Sequence, residues 1–277
     1  MPKFSKKEIK EVINPLIERL IEKSKRHKTL IAGIQGGQGT GKTTLVNFVK
    51  QRLRKQGFKV QSFSIDDFYE TYRFRREWSG KNPGNPFYQI ARGMPGTHRV
   101  KLLKQVLAKI KAGKPFEIPI FDKFRHQGQG DVSKRMIKVN ERQDFVLFEG
   151  WCVGIPKVSS RILINICKKN DIPLKQLDPE LQYHLVMLKA IKDYLPLWKY
   201  LNYIVMLQAD SAQLHQKWRL QQERELKIKK NQGMTPKEII NFVNVYLPLT
   251  YVCYEKIKAD AKIKINSKHE FYSMDSK

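Results

Sequence analysis

Gly36-Gly37-Gln38-Gly39-Thr40-Gly41-Lys42-Thr43-Thr44 completes the pattern G-x-x-x-x-G-K-[ST] directly after an apolar run from Thr29 to Ile34. A buried strand, a glycine-rich turn and a helix in that order leave a chain few ways to fold. The glycines let backbone N–H groups curl inward around a polyphosphate, and the helix that begins near Lys42 aims its positive dipole end at the same charge. Lys42 is placed to reach the β and γ phosphates, and the Thr43 hydroxyl to take a place on Mg²⁺. Leu45, Val46, Phe48, Val49 and Leu53 give that helix its apolar face. The reading is a phosphate cradle whose contacting residues are Gly36, Gly37, Gln38, Gly39, Thr40, Gly41, Lys42, Thr43 and Thr44.

A chain of 277 residues with 41% hydrophobic content can bury a sizeable core. No apolar run approaches the length of a membrane span, and the charged stretch from Pro2 to Lys10 has no signal-peptide form, so a cytoplasmic protein is expected. Cys152, Cys167 and Cys253 are odd in number and far apart, which suggests buried thiols rather than a disulfide framework or a metal site. The formal charge of +27 raises the question of a nucleic-acid partner. However, the basic residues spread from Lys3 to Lys277, and the dense clusters, Lys23 to Lys28 and Lys227 to Lys230, are short enough to be solvated helix faces. A general attraction to polyanions, ATP included, is the expectation, and a nucleic-acid partner is not.

Apolar residues at helical spacing from Ile9 to Ile21 predict an amphipathic helix over 1–27 that packs on the sheet of a kinase-sized domain, 28–277. Phe58 to Ile65 reads as a strand that runs beside the P-loop strand and ends in Asp66-Asp67-Phe68-Tyr69. Arg73 to His98 is rich in glycine and proline and reads as a long substrate-facing loop, with Pro119 to Asp131 as a second polar loop. Between them Leu102 to Ile110 is a short helix. Asp144 to Trp151 is an apolar strand ending in an acid, the form of a Walker B element. Leu181 to Trp198 predicts a helix bent near Pro196, Tyr203 to Leu207 a strand, Ala212 to Lys230 an Arg-bearing helix that could act as a lid, Pro236 to Tyr246 another helix, and Ala261 to Ile265 a last strand. Strands alternating with helices imply an α/β fold with a parallel sheet.

Phosphoryl transfer needs a held γ-phosphate, neutralised charge and an oriented nucleophile. Asp66 at a strand end could accept a hydroxyl proton; an Asp there could equally cap the next helix. Asp67 is the weaker candidate for that role and, with Tyr69, is placed on the substrate side. Glu149 could hold the hydration shell of Mg²⁺ or orient the hydroxyl, or pair with a nearby Lys. Thr43, Asp66 and Glu149 are thus the metal-side residues. Arg219, and less so Arg224, could clamp the transferring phosphate. Arg92, His98 and Lys123 lie in the polar loops and could bind an anionic substrate, while a lone histidine such as His98 can also be structural.

Together, Gly39-Thr-Gly-Lys-Thr-Thr-Leu45, Ile65-Asp-Asp-Phe-Tyr69, Asn82-Pro-Gly-Asn85, Pro95-Gly-Thr-His98, Gly128-x-Gly-Asp131, Phe148-Glu-Gly-Trp151, Trp218-Arg-Leu-Gln221 and Phe242-Val-x-x-Tyr-Leu-Pro248 resemble the plant-type D-glycerate 3-kinases, from about residue 28 to 266. The resemblance implies a P-loop kinase of the phosphoribulokinase and uridine kinase group, a five-stranded parallel sheet, ATP and Mg²⁺ as cosubstrates, and transfer of the γ-phosphate to the 3-hydroxyl of D-glycerate, as in photorespiration. A monomer or weak oligomer is expected. Arg99 stands where relatives usually carry an acid. A kinase of nucleosides or of a pantothenate-like alcohol would share the ATP machinery, and a nucleic-acid-associated P-loop ATPase would fit the charge.

Overall fold

A computed structural model describes residues 4–89, 92–230 and 234–276, the side chains of 225–230 excepted. The chain opens with α1 (Lys6–Glu8), a π turn and α2 (Asn14–Ser24), started by a capping box in which Ser5 and Glu8 exchange side-chain and backbone bonds. Next come β1 (Leu30–Gly36), α3 (Lys42–Lys55), β2 (Val60–Ser64), a 3₁₀ turn (Ile65–Phe68), α4 (Tyr72–Gly80), α5 (Pro86–Gln89) and α6 (Val100–Lys111). The hairpin β3 (Phe116–Asp122) and β4 (Asp131–Val139) precedes β5 (Phe145–Gly150), α7 (Ser160–Lys169), α8 (Leu174–Leu177) and α9 (Tyr183–Ile191). The chain ends with β6 (Tyr203–Ala209), α10 (Ala212–Lys230), α11 (Pro236–Lys256), β7 (Ala261–Ile265) and β8 (Phe271–Ser276).

The central sheet has six strands in the order β2-β5-β1-β6-β7-β8. The first five are parallel, and β8 pairs antiparallel with β7. Five strands were expected, and the sixth escaped notice because its polar sequence buries only Phe271 fully. Along β1 the side chains alternate between two cores: Leu30, Ala32 and Ile34 join Val12, Leu16, Leu20 and Leu45 on one face, while Ile31 joins Phe148, Leu103 and Val252 on the other. The N-terminal helix therefore packs directly on the sheet.

Other segments also differ from expectation. The stretch from Arg73 to His98 contains α4 and α5; α4 is capped by Thr71 and carries an Arg73–Glu77 ion pair of 2.9 Å, but it has no apolar stripe to announce it. The second polar loop is largely the β3–β4 hairpin, with the turn confined to 123–130. The strand leading to Asp66 is one place removed from β1, because β5 lies between them. The helices α7, and α11 from Leu247 to Lys256, also went unforeseen; Pro248 sits inside α11. A buried chain of hydrogen bonds joins α7 to α9: Asp178 accepts from the N–H groups of Gln182, Tyr183 and His184, and the His184 ring bridges Asp178 and Ser160 at 2.6 Å on each side.

Candidate active site

The carboxyl ends of β1, β5 and β2 open into a cleft of about 1750 Å³. Its walls include Gln38 to Thr44, Asp66, Tyr69, Arg92, Lys123, Glu149 and Arg219. The cradle forms because Gly41 takes φ +83° where the chain enters α3, a left-handed conformation that a side chain would strain. The first turn of α3 carries no acidic residue to compete with an incoming phosphate. Lys42 Nζ donates to the carbonyls of Gly36 and Gly37 at 2.8 and 2.9 Å, which folds its ammonium over the loop. Burial pulls the Lys42 ammonium below its ordinary value, against the attraction of Glu149 and Asp66. Thr40, inside the turn, donates to Gly37 O at 2.9 Å.

Glu149 closes β5 in register with Ile34 of β1 and Ser64 of β2, so it faces the loop from the neighbouring strand. Its two oxygens accept from the Thr43 hydroxyl at 2.8 and 3.1 Å. Burial pushes the Glu149 carboxyl up, and Lys42 and the Thr43 hydroxyl pull it back only in part. Across the cleft, Asp66 accepts from Lys123 Nζ and from the Tyr69 hydroxyl, each at 2.9 Å. Burial would raise the Asp66 carboxyl, but the Lys123 charge and hydrogen bond, with His98 and Tyr69, hold it below the ordinary aspartate value. Asp66 is thus held on the acidic side of its ordinary value, and Glu149 on the basic side of its own. Thr43, Asp66 and Glu149 offer hydroxyl and carboxylate oxygens, the donors a hard cation prefers. Among the described residues no cluster of three or more His, Cys, Asp or Glu could hold a metal. A Mg²⁺ ion here fits only in company with phosphate oxygens and water.

The remaining expected residues divide. Arg92 lines the cleft, with Nη1 on the Gly128 carbonyl at 2.6 Å and its guanidinium 5.8 Å from the Phe121 ring centre. Arg219 also lines it, paired with Glu223 at 2.8 Å and lying 5.8 Å over Phe242. Glu223 accepts in addition from Met234 N–H, which binds α10 to the approach of α11. Arg224 is exposed and stands outside the walls. Asp67 turns back onto the Ser64 N–H at 2.8 Å, completing the capping box of the 3₁₀ turn, and does not line the cleft. His98 is buried behind the wall: its ring stacks on Tyr69 at 4.5 Å and its Nδ1 meets the Tyr194 hydroxyl at 2.7 Å. Burial pushes the His98 imidazole down to about 4. Arg99 is half-buried and donates from Nε to the Tyr69 carbonyl at 3.1 Å.

Several residues without an assigned part hold the walls around Arg92 and Lys123 in shape. The Trp151 indole donates to the Gly93 carbonyl at 3.0 Å and the Tyr246 hydroxyl to the Arg92 carbonyl at 2.7 Å. These two bonds pin the Arg92 turn between β5 and α11. Arg75, buried in α4, grips the turn between β3 and β4 through the carbonyls of Gln129 and Gly130, and its own approach to α4 through the Glu70 carbonyl. Asn85 ties the Asn-Pro-Gly-Asn turn to the Tyr183 carbonyl at 3.1 Å. Trp151, Tyr246 and Asn85 each belong to a sequence motif, but a motif marks a position without saying whether it faces ligand or scaffold.

Comparison with known proteins agrees with this geometry. Residues 10–151 match the KAP family P-loop domain. The uncharacterized kinase mug58 of Schizosaccharomyces pombe is 35% identical over 251 residues, 88% of this chain and 88% of that protein. The chloroplastic D-glycerate 3-kinase of Arabidopsis thaliana is 30% identical over 226 residues, 79% of this chain but only 46% of the relative's length. Among solved structures, D-glycerate 3-kinase from Cryptococcus neoformans var. grubii superposes with a TM-score of 0.85 at 27% identity, covering 96% of this chain and 99% of that one. The chain matches that P-loop family model and is an ATP-dependent kinase of the family that includes the proteins named D-glycerate 3-kinase.

Proposed function

We propose that the protein transfers the γ-phosphate of ATP, as its Mg²⁺ complex, to the 3-hydroxyl of D-glycerate, giving 3-phosphoglycerate. The observation that carries this reading is the Asp66–Lys123 pair on the wall of the P-loop cleft. A small hydroxy acid offers the two groups that such a pair can sort, a carboxylate for the ammonium and a hydroxyl for the carboxylate. Mg²⁺, held by Thr43 with Glu149 and Asp66 acting directly or through water, would supply charge neutralisation on the phosphates. Lys42 leaves the Gly36 and Gly37 carbonyls for the β and γ phosphates, and Arg219 steadies the transferring group from α10. As the glycerate carboxylate engages Arg92 and Lys123, the Lys123 ammonium is drawn off Asp66. The freed carboxylate then accepts the proton of the attacking hydroxyl. Tyr69 keeps Asp66 oriented through its hydroxyl.

The test is the rate of ADP release with a panel of alcohols: D-glycerate, L-glycerate, uridine, cytidine and pantothenate. D-Glycerate should stimulate release well above the unaided rate, and the others should not. Stimulation by a nucleoside or pantothenate instead would move the protein to another small-molecule kinase class.

A further inference from the structure

His215 on α10 and Tyr254 on α11 are buried polar side chains outside the cleft walls, and the chemistry proposed above uses neither. His215 Nδ1 lies 2.7 Å from the Gln38 carbonyl, and its Nε2 lies 3.3 Å from the Tyr254 hydroxyl. The Tyr254 oxygen in turn accepts from the N–H groups of Gly37 and Ala209, each at 3.4 Å. These bonds fix the protons. A carbonyl can only accept, so Nδ1 carries the hydrogen, Nε2 is bare, and Tyr254 donates its one hydrogen to it. Burial pushes the His215 imidazole down to about 4, the Gln38 carbonyl opposing and Lys42 assisting, so the ring is neutral near pH 7. The fit is also steric: a Cβ at position 37 would stand 2.4 Å from His215 Cε1, so only glycine admits the ring against the loop.

The consequence follows from the planar trans peptide, in which C=O and N–H point in opposite directions. With the Gln38 carbonyl anchored on His215, the Gly39 N–H of the same peptide plane must point away from α10's imidazole. Residues 38 and 39 both line the cleft, and so does Arg219, one turn beyond His215 on α10. We propose that His215 and Tyr254 are positioning residues that hold the Gly37–Gln38–Gly39 peptides of the P-loop in a phosphate-receiving orientation and tie that orientation to the helix carrying Arg219. The gain in nucleotide affinity rests on the reading of the chain as an ATP-dependent kinase; the fixing of the loop does not.

Three variants separate geometry from mere filling. In His215→Asn the side-chain amide nitrogen can stand where Nδ1 stands, so the donor to Gln38 survives; in His215→Gln it stands near the place of Nε2, and that donor is lost. Tyr254→Phe removes the hydroxyl that receives Gly37. Amide hydrogen exchange over residues 36–41 of the nucleotide-free protein reads the loop directly, and equilibrium binding of ADP reads its use. His215→Asn should keep wild-type protection and ADP affinity within about threefold, whereas His215→Gln should lose protection and weaken ADP about tenfold or more. KM for the acceptor should not move in either. Tyr254→Phe should speed exchange at Gly37 and weaken ADP in the same direction, and it carries the comparison if His215→Gln fails to fold. Equal behaviour of the Asn and Gln variants, or wild-type exchange in Tyr254→Phe, would overturn the proposal. Absence of ADP binding to the wild type, with exchange still separating Asn from Gln, would uphold the fixing of the loop and sink the kinase reading.

Discussion

In the proposed reaction Asp66 meets two opposed demands: to stay ionised in a half-buried position and to remain basic enough to take a proton. Lys123 and Tyr69 serve the first and weaken the second, which is why the account needs the acceptor's carboxylate to draw Lys123 aside. General-base catalysis is worth about 10²–10⁴-fold, so Asp66→Asn should lower kcat by that order with little change in ATP affinity. The capping alternative makes a different prediction, and the structure already assigns the cap to Ser64 and Asp67. Asp66→Asn should therefore leave thermal stability nearly unchanged; a less stable variant with normal kcat would return Asp66 to a structural role. For the acceptor anion, Arg92→Ala should raise KM for glycerate and lower kcat/KM by about 1.5–3 kcal/mol, the scale of a hydrogen bond to a charged group, while KM for ATP holds. An unchanged KM for glycerate would remove Arg92 from the pocket. Arg99 offers no clean contrast, since its guanidinium braces the Tyr69 carbonyl and Arg99→Asp would disturb the wall itself. At this scale the sequence disclosed the glycine-rich turn before α3 and the acidic strand ends, because each is local. It could not disclose that His98 lies behind Tyr69 or that His215 supports Gln38, since both depend on which elements meet in space.

Among the elements, the 3₁₀ turn after β2 has the most testable construction. Burial pushes the Asp67 carboxyl up to about 6, against the Ser64 N–H and with the help of the Asp66 charge. The unfolded value is about 3.9. A folded pKa above the unfolded one means that the contribution of Asp67 to stability is fully present below about pH 4 and is lost as pH rises through about 6. Asp67→Asn keeps an oxygen for Ser64 and removes the titration. Urea unfolding across pH 4–8 should show the variant gaining on the wild type as pH rises, by on the order of 1–3 kcal/mol at the top of the range. A constant difference across that range would contradict the assignment. The elements that the sequence concealed share a cause. α4 is held by the Thr71 cap, the Arg75 bonds and the packing of Trp78 on the core rather than by a full apolar stripe, and β8 and the β3–β4 hairpin lie where one face is open to solvent. Periodicity reports burial, so half-buried polar elements leave little trace.

At the scale of the molecule, strand order decides the chemistry. Placing β5 between β1 and β2 sets Glu149 between the P-loop and Asp66, so that three strand ends converge on one cleft. The alternation of strands and helices made the parallel sheet legible; the order within it was not, because nothing in a strand's own sequence names its neighbour. The charge of +27 adds a field that favours polyanionic ligands without specifying one. Among the described residues no helix is long and apolar enough to cross a membrane. The central claim is the transfer of phosphate to one particular hydroxyl of D-glycerate, and ³¹P NMR of the product formed from ATP and D-glycerate with Mg²⁺ tests it most directly. The account predicts one new phosphomonoester resonance, split by the two C3 protons and coincident with added 3-phosphoglycerate. A resonance coincident with 2-phosphoglycerate would contradict the geometry assigned to Asp66, and no new phosphomonoester at all would contradict glycerate as the substrate.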